Sequence, residues 1–367
     1  MAIGLGRGRE GEQLESSQAP LNVAILGAGR MGHVRAEAIA VYSRAQLRLT
    51  YDPIRDRSNE LADRFGATAV GTVDEALSDA TIDAVFVCTP STDHPALVIA
   101  AARAGKAIFC EKPLAITAEL ARAAERSVET TGVIAAIGFS KRFDPGRRLL
   151  EDQVRGGSVG EVAMVLLTNR DPNTATYQPL IDYLSEVHDS APGGLIREST
   201  VHDLDTARAL LGEEPVEVFA VGSTRASPAM AAIGELDTVM ITLRTAGGRM
   251  CQINGSWHAD YGYDQRIEVL GTNGMLRLEN PPRPAVVRHD QMGAHVGRMF
   301  EGPPGTYDFW RYAFAEAYPA ETHAFLDVVR ARTTPRITIH DGVRAQVLVE
   351  ATVASWQQGI PIPIPQD

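Results

Sequence analysis

The stretch that decides the fold runs from Leu21 to Gly32 and reads LNVAILGAGRMG. Leu21 to Leu26 form a short, mostly apolar run with β-branched residues that stops at glycine, which predicts a buried strand. A helical pattern follows from Met31 to about Ser43. Gly27, Gly29 and Gly32 stand between the two in G-x-G-x-x-G spacing. The first glycine permits a tight turn, the second lets the backbone approach a pyrophosphate, and the third lets helix and strand pack closely. The helix N-terminus, where Arg30 and Met31 sit, adds free N–H groups and partial positive charge for phosphates. Alone, this fingerprint is a weak signal, so its surroundings decide its meaning.

Those surroundings repeat one pattern. QLRLTYD, ATAVG, DAVFVCTP, KAIFCEKP and VIAAIGFS read as strands, and helical segments lie between them. Strands alternating with helices at this spacing mean βαβ units and a parallel sheet. Asp52 ends the second strand, 20 residues after Gly32, where a carboxylate accepts both ribose hydroxyls of an adenosine. The alternative is a turn residue before Pro53. A carboxylate there repels a 2′-phosphate and favours NAD over NADP, although Arg55 and Arg57 are close enough to offset part of that repulsion.

The pattern changes after about Phe143. EVAMVLLTNR, VEVFAVGSTR, DTVMITLRTAGG, RMCQINGSWH and QRIEVLGTNGMLRLE alternate in polarity, as strands of a mostly antiparallel, one-face-solvated sheet do. Two helices are expected around residues 315–332 and 342–358. The reading is an α/β chain with a flexible tail (1–19), a dinucleotide-binding domain (20–143) and a second α+β domain (144–367).

Bulk properties exclude several classes. With 367 residues, 44% of them apolar, the composition is globular and long enough for two domains. A net charge of −11 argues against nucleic acid as a partner, which needs a concentrated basic surface. No apolar run reaches the ~18 residues of a membrane span, and the first 19 residues lack the apolar centre of a secretory signal. Cys88, Cys110 and Cys251 make no disulfide framework and have no zinc-ligand spacing, so no metal is expected. They read as buried, inert thiols of a cytoplasmic protein.

Ligands bind beyond the C-terminal ends of strands in such a sheet. Thr89, Pro90 and Ser91 follow the fourth strand and are candidates for the ribose side of the cofactor. His94 either contacts ligand or helps to start the next helix. CEKPLA (Cys110–Ala115) follows the next strand. An amine at Lys112, partly removed from water beside a cationic nicotinamide, has its pKa lowered and can exchange a proton with a substrate hydroxyl. Elsewhere such a residue would read as a surface lysine. Glu111 is placed to anchor backbone or bind a ribose hydroxyl, and Pro113 fixes the turn, with a cis Lys112–Pro113 bond as one way of doing so.

GGLIRESTVHDLDTARALLG (193–212) supplies a second group of residues. Glu198 and His202 are four apart and share a helix face, and an imidazole beside acids holds a hydroxyl or transfers a proton. Asp203 and Asp205 read as acids favouring the helix dipole. Asn169, Arg170 and Asp171 end one strand. Tyr261, Tyr263, Asp264 and Arg266 sit at the start of another. Either set suits a substrate with several hydroxyls, or is ordinary sheet structure. Trp257, Trp310 and Trp356 read as packing residues.

Together GAGRMG, VFVCTPSTDHP, AGKAIFCEKPLA, GFSKRFDP, NRDP, the 193–212 segment, YGYDQRIEVLGTNGML and DGVRAQVLVEATVASWQQG resemble the glucose–fructose oxidoreductase and inositol 2-dehydrogenase family nearly end to end. NRDP and YGYDQR make the chain most similar to the inositol dehydrogenase branch. The resemblance implies an N-terminal Rossmann domain, a C-terminal domain with a large open sheet, and a homodimer or homotetramer built on that sheet. It implies Lys112 as catalytic acid/base, His202 supported by Glu198 at the reacting hydroxyl, and substrate contacts from Lys112, Arg170, Asp171, Glu198, His202 and Tyr263. It implies NAD as cofactor, a cyclic polyol or sugar such as myo-inositol as substrate, and a cytoplasmic setting.

Three departures stand out. Glu198 replaces a common aspartate, and Arg35 stands where histidine is frequent. The segment 173–192 is longer than usual, so its Tyr177, Tyr183, His188 and Asp189 either reach the substrate mouth or lie on a surface insertion. Two competing readings remain: a nucleotide- or sugar-sensing regulator without turnover, and a redox-cycling glycosidase that retains NAD.

Overall fold

A computed structural model of the chain describes residues 19–172, 174–259, 261–279, 286–290, 293–297, 311 and 313–366. Trp310 and nearly all of the expected tail lie outside them. The first sheet contains β1 (Leu21–Leu26), β2 (Ala45–Tyr51), β3 (Thr68–Ala69), β4 (Ala84–Val87), β5 (Ala107–Glu111) and β6 (Ala135–Gly138). Its strands are all parallel, in the order β3-β2-β1-β4-β5-β6. The connecting helices are α1 (Arg30–Ala40), α2 (Arg55–Phe65), α3 (Val73–Ser78), α4 (His94–Arg103) and α5 (Ala118–Thr131). Strands β4, β5 and β6 are buried throughout, which explains their unbroken apolar runs. The order reverses between β1 and β4. The ends of β1, β4 and β5 therefore lie side by side, as ligand sites in such sheets require.

Two glycines of the first turn are dictated by contact. Gly27 has φ +99°, and a Cβ there would lie 2.6 Å from the Cys88 carbonyl and the Thr89 nitrogen. A Cβ on Gly32 would lie 2.2 Å from the Gly27 carbonyl oxygen. A Cβ on Gly29 would meet nothing within 4 Å.

The rest of the chain begins with a short 3₁₀ turn (Ser140–Phe143) and α6 (Pro145–Arg155), which Asp144 caps by accepting from the Arg147 N–H at 3.0 Å. Then come β7 (Val162–Arg170), α7 (Gln178–Val187), a π-helical turn (Leu195–Thr200), α8 (Val201–Leu211), β8 (Pro215–Ser223), α9 (Pro228–Ala232), β9 (Thr238–Thr245), β10 (Met250–Ser256), β11 (Asp264–Gly271) and β12 (Gly274–Leu278). The strands β13 (Val286–Asp290) and β14 (Gly293–Gly297) pair with each other, and α10 (Ala317–Ala331), α11 (Ile339–Gln358) and β15 (Ile362–Pro363) close the chain. The second sheet has the order β12-β11-β7-β10-β9-β8-β15. It is antiparallel except where β7 runs parallel to β10. Helix α8 packs on β7 and β10, and α11 packs on β8.

The closing helices tie the halves together. Phe325 of α10 sets its ring 5.5 Å from both Phe86 of β4 and Phe109 of β5. Gly342 of α11 lies so close to Leu114 and Ile137 that a Cβ would stand 3.2–3.3 Å from them. One apolar cluster runs from Ala24 through Leu114 to Val269, across both sheets. Among the described residues, no helix is long and apolar enough to cross a membrane.

Gly32→Ala is expected to lower unfolding stability by at least roughly 1–3 kcal/mol, because backbone cannot yield the way a side chain can. Gly29→Ala, with open space around the new methyl, should leave the melting temperature near that of the parent. Thermal unfolding of the two variants side by side checks this.

Candidate active site

A cavity of about 590 Å³ opens where the ends of β4 and β5 face the second sheet. From the first domain it is lined by Arg30 and Met31 of the glycine turn, by Thr89, Pro90, Ser91 and His94 after β4, and by Glu111, Lys112 and Pro113 after β5. From the second come Asn169, Asp171, Glu198, Ser199, His202 and Tyr263.

Lys112 is held at the centre of this junction. The Lys112–Pro113 peptide is cis. Its Nζ donates to the Glu198 backbone carbonyl at 2.7 Å and to Glu198 Oε2 at 3.2 Å. The other oxygen, Oε1, accepts from the Tyr183 hydroxyl at 3.5 Å. Glu198 therefore engages Lys112 and Tyr183 rather than supporting His202. The physical reason is local: Leu195–Thr200 is a π-helical turn, wider than an α-turn. Four residues along it are not four along a regular helix.

His202 starts α8 and packs edge-on to Phe139, with ring centres 5.9 Å apart. Its Nδ1 is buried without a hydrogen-bond partner among the described residues. Burial holds its pKa well below the usual value, and the cations Lys141, Lys112 and Arg147 add to the effect. It is a neutral imidazole at physiological pH, able to donate to or accept from a hydroxyl.

The floor is a polar network on the inward side of β7 and β11. Asn169 donates to Asp203 and, at 3.2 Å, to Ser199 Oγ, and it accepts from Gln265. Lys141 donates to Gln265 at 2.9 Å. Ser199 donates to Asp171 at 3.0 Å. Burial pulls the Lys141 amine down to about 8, against the opposing pull of Asp203. Burial pushes the Asp171 carboxyl up to about 6, opposed by Lys141 and the Ser199 hydrogen bond. Lys141 was not singled out in the sequence, although it lies in GFSKRFDP beside the domain junction.

Arg170 does not join this group. Strand side chains alternate, and Asn169 takes the inward direction. Arg170 therefore points to the other face, donating to Asn254 at 3.0 Å and to Tyr261 at 3.0 Å. Asp264 is paired opposite Arg170 and accepts from Tyr261 and Arg266 at 2.8 Å on that same face. Of the strand-start residues only Tyr263 lines the cavity.

On the cofactor side, Asp52 accepts from the Ala28 N–H at 2.8 Å and the Ile54 N–H at 2.9 Å. It braces the glycine turn and does not line the cavity, whereas Arg57 does. Arg55 donates to the Ala69 carbonyl at 3.0 Å. His94 is buried between two carbonyls, Pro113 at 2.7 Å and Thr89 at 2.8 Å, so it ties the β4 loop to the Lys112 turn. Glu111 is pinned by a wholly buried Arg35, which also binds Glu321, each at 2.6 Å. That pairing engages Glu111 Oε1, and the residue also lines the cavity.

The long 173–192 segment divides. Tyr177, Pro179, Leu180 and Tyr183 line the cavity, while His188 binds Glu235 at 2.8 Å and Asp189 is exposed. Trp257 is a packing residue that also forms cavity wall, and Trp356 packs at the core edge. All three cysteines are buried, and burial raises each thiol, so none is a thiolate at neutral pH.

Comparison with known proteins agrees with this architecture. Residues 21–139 match the model of the oxidoreductase family with an NAD-binding Rossmann fold (GFO/IDH/MocA), and residues 148–277 match the family's C-terminal domain. The chain belongs to this family, and it is a dehydrogenase-type oxidoreductase. It is 38% identical to an inositol 2-dehydrogenase of Rhizobium meliloti over 90% of this chain and 95% of that one. It is 33% identical to a myo-inositol 2-dehydrogenase of Thermotoga maritima over 92% and 97%. The structure of a myo-inositol dehydrogenase from Corynebacterium glutamicum superposes with a TM-score of 0.83 at 31% identity, covering 95% of this chain and all of that one. A scyllo-inositol dehydrogenase from Lactobacillus casei, solved with NAD(H) and scyllo-inositol, gives 0.83 at 25% identity, covering 94% and 99%.

Asp171 carries a stability cost that pH reveals. Its carboxyl titrates near 3.8 in the unfolded chain and near 6 in the folded one, so the native state holds the extra proton between those values. Stability from this group is complete below about 3.8 and is lost as pH rises through 6. Asp171→Asn should therefore gain roughly 1–3 kcal/mol over the parent at pH 8 and nothing at pH 3.5, as read from denaturant unfolding.

Proposed function

We propose that this chain is an NAD-dependent dehydrogenase oxidising a secondary alcohol of a cyclic polyol, with an inositol as the substrate class. The observation that carries the reading is the position of Lys112 Nζ. It sits on a rigid turn at the end of β5, in a cavity shared by the glycine turn and His202.

The cofactor side fits a dinucleotide. Thr89 Oγ1 is buried at the cavity wall without a partner among the described residues. The backbone at Gly29 has room for a close neighbour, and the first turn of α1 offers N–H groups. Gly29, Arg30, Met31, Thr89, Pro90 and Ser91 would hold it. Asp52, fixed by two backbone N–H groups, disfavours a 2′-phosphate and argues for NAD. When bound, NAD accepts hydride and is reduced to NADH.

The chain's own residues handle the proton. Lys112 Nζ, acting as the base, takes the hydroxyl proton while the alcohol C–H bond breaks, leaving a ketone and an ammonium. The adjacent Glu198 carboxylate stabilises that ammonium. His202, kept neutral, orients the reacting hydroxyl, and Asn169, Asp171, Lys141 and Tyr263 offer partners for the remaining hydroxyls. A substrate lacking those hydroxyls would leave buried polar groups unpaired, which is how such a site selects.

The second sheet supports a homodimer or homotetramer. On its outer face Met275, Leu270, Met164 and Met250 lie in one row across β12, β11, β7 and β10. Met275, Leu270 and Met250 are exposed by 40–50%, and Val221 and Met240 extend the apolar face. Light scattering should show an oligomer that Leu270→Glu with Met250→Glu dissociates. A monomeric parent chain would refute this assembly.

NADH absorbance should rise with myo- or scyllo-inositol and stay flat with NADP. Lys112→Met should lower kcat at least ~100-fold with NAD binding retained. Tight NAD binding with no turnover of any inositol, aldose or glycoside would sink the dehydrogenase reading. Turnover of a glycoside without net NADH would redirect it to hydrolysis.

A further inference from the structure

The Glu198 carboxylate is carried on a flexible arm. Its side chain is one-fifth exposed and has three rotatable bonds, so ordering it carries an entropic cost. Something must hold it if it is to act on Lys112 alone.

Tyr183 is placed to hold it. Glu198 divides its oxygens: Oε2 accepts from Lys112 at 3.2 Å, and Oε1 accepts from the Tyr183 hydroxyl at 3.5 Å. The Tyr183 oxygen in turn lies 2.8 Å from Ser91 Oγ. A tyrosine has one proton to give, so when it donates to Glu198, Ser91 donates to it. Burial pushes the Tyr183 hydroxyl upward, and the Glu198 charge adds to that, so it stays a neutral donor at physiological pH. It is not itself an acid or a base for the reaction.

We propose that Tyr183 is a positioning residue: held by Ser91, its hydroxyl fixes the Glu198 carboxylate against Lys112. The proposal rests on the acid/base reading of Lys112. It also gives the long 173–192 segment a task. Helix α7 presents Tyr183 and Leu180 to the cavity, and together with Tyr177 just before it the segment meets the cofactor side at two points. One is Ser91, in the loop after β4, and the other is Arg30, whose guanidinium lies 5.7 Å from the Tyr177 ring centre. The segment thus links the loops that would hold the dinucleotide to the carboxylate beside the reacting amine.

The test uses the full chain, NAD and whichever of myo- and scyllo-inositol is turned over faster. Tyr183→Phe should lower kcat roughly three- to tenfold, the scale of one lost hydrogen bond. KM for NAD and for the inositol should stay within about twofold, since ground-state binding is untouched. In a Glu198→Gln background the same change should cost nothing further, because Tyr183 acts through that carboxylate. Ser91→Ala, which keeps the tyrosine ring in place, should lower kcat in the same direction by less. Parent-like kcat in Tyr183→Phe, or losses that multiply independently with Glu198→Gln, would overturn the proposal. Lys112→Met separates the two ideas: inactive Lys112→Met with normal Tyr183→Phe discards Tyr183 alone, while active Lys112→Met discards the acid/base reading and this proposal with it.

Discussion

A guanidinium with no access to water must be met by carboxylates, and Arg35 sets that requirement in the middle of this protein. Burial alone would weaken its charge, but Glu111 and Glu321 more than offset this and hold it protonated. Phe109 lies under it at 4.4 Å. Three elements are fixed by one residue: α1 carries the arginine, β5 ends on Glu111, and α10 supplies Glu321. Lys112 follows Glu111 directly. The placement of the amine thus begins with an ion cluster buried behind it. Removing one partner of such a cluster costs about 3–5 kcal/mol, far more than the pair contributes over a packed apolar substitute. The cluster's value is therefore in specifying geometry.

From Lys112 the chain of contacts continues outward through Glu198 and Tyr183 to Ser91. These contacts cross between the two domains that form the cavity. The first sheet provides the amine and the cofactor loops, and the second provides the imidazole and the polar floor. His94 adds a shorter tie within the first domain, bridging the carbonyls of Thr89 and Pro113. Charged groups at this junction are balanced by burial against one another. Burial lowers Lys141 and His202 and raises Asp171, which brings Lys141 and Asp171 toward neutral pH. Sites that handle protons near pH 7 are expected to show such opposed shifts.

Much of this was legible in the chain. The run Leu21–Gly32, the strand–helix alternation and the longer alternating strands after Phe143 predicted both sheets, because period-2 and period-3.6 patterns are local. The strand ends carrying Thr89 and Lys112 were readable for the same reason, and both residues line the cavity. Arg170 was misplaced because NRDP was read as a cluster, although β-alternation already divides Asn169 from Arg170. Lys141 was missed because nothing local marks a lysine as buried. The pairing of Glu198 with His202 assumed an α-helix, whereas the chain there makes a π-turn.

By itself, the sequence determined the secondary elements, the glycine turn and the residue types at the sheet edge, since these depend on neighbours a few positions away. Tertiary structure alone decided which charges meet. Arg35 lies 286 residues before Glu321 and 283 before Tyr318, and only the packing of α10 on the first sheet brings them together. Tyr183 and Ser91, 92 residues apart, likewise meet only in the folded chain. Desolvation, which sets the proton affinities of the cavity, is a property of the assembled fold and has no counterpart in the order of the residues.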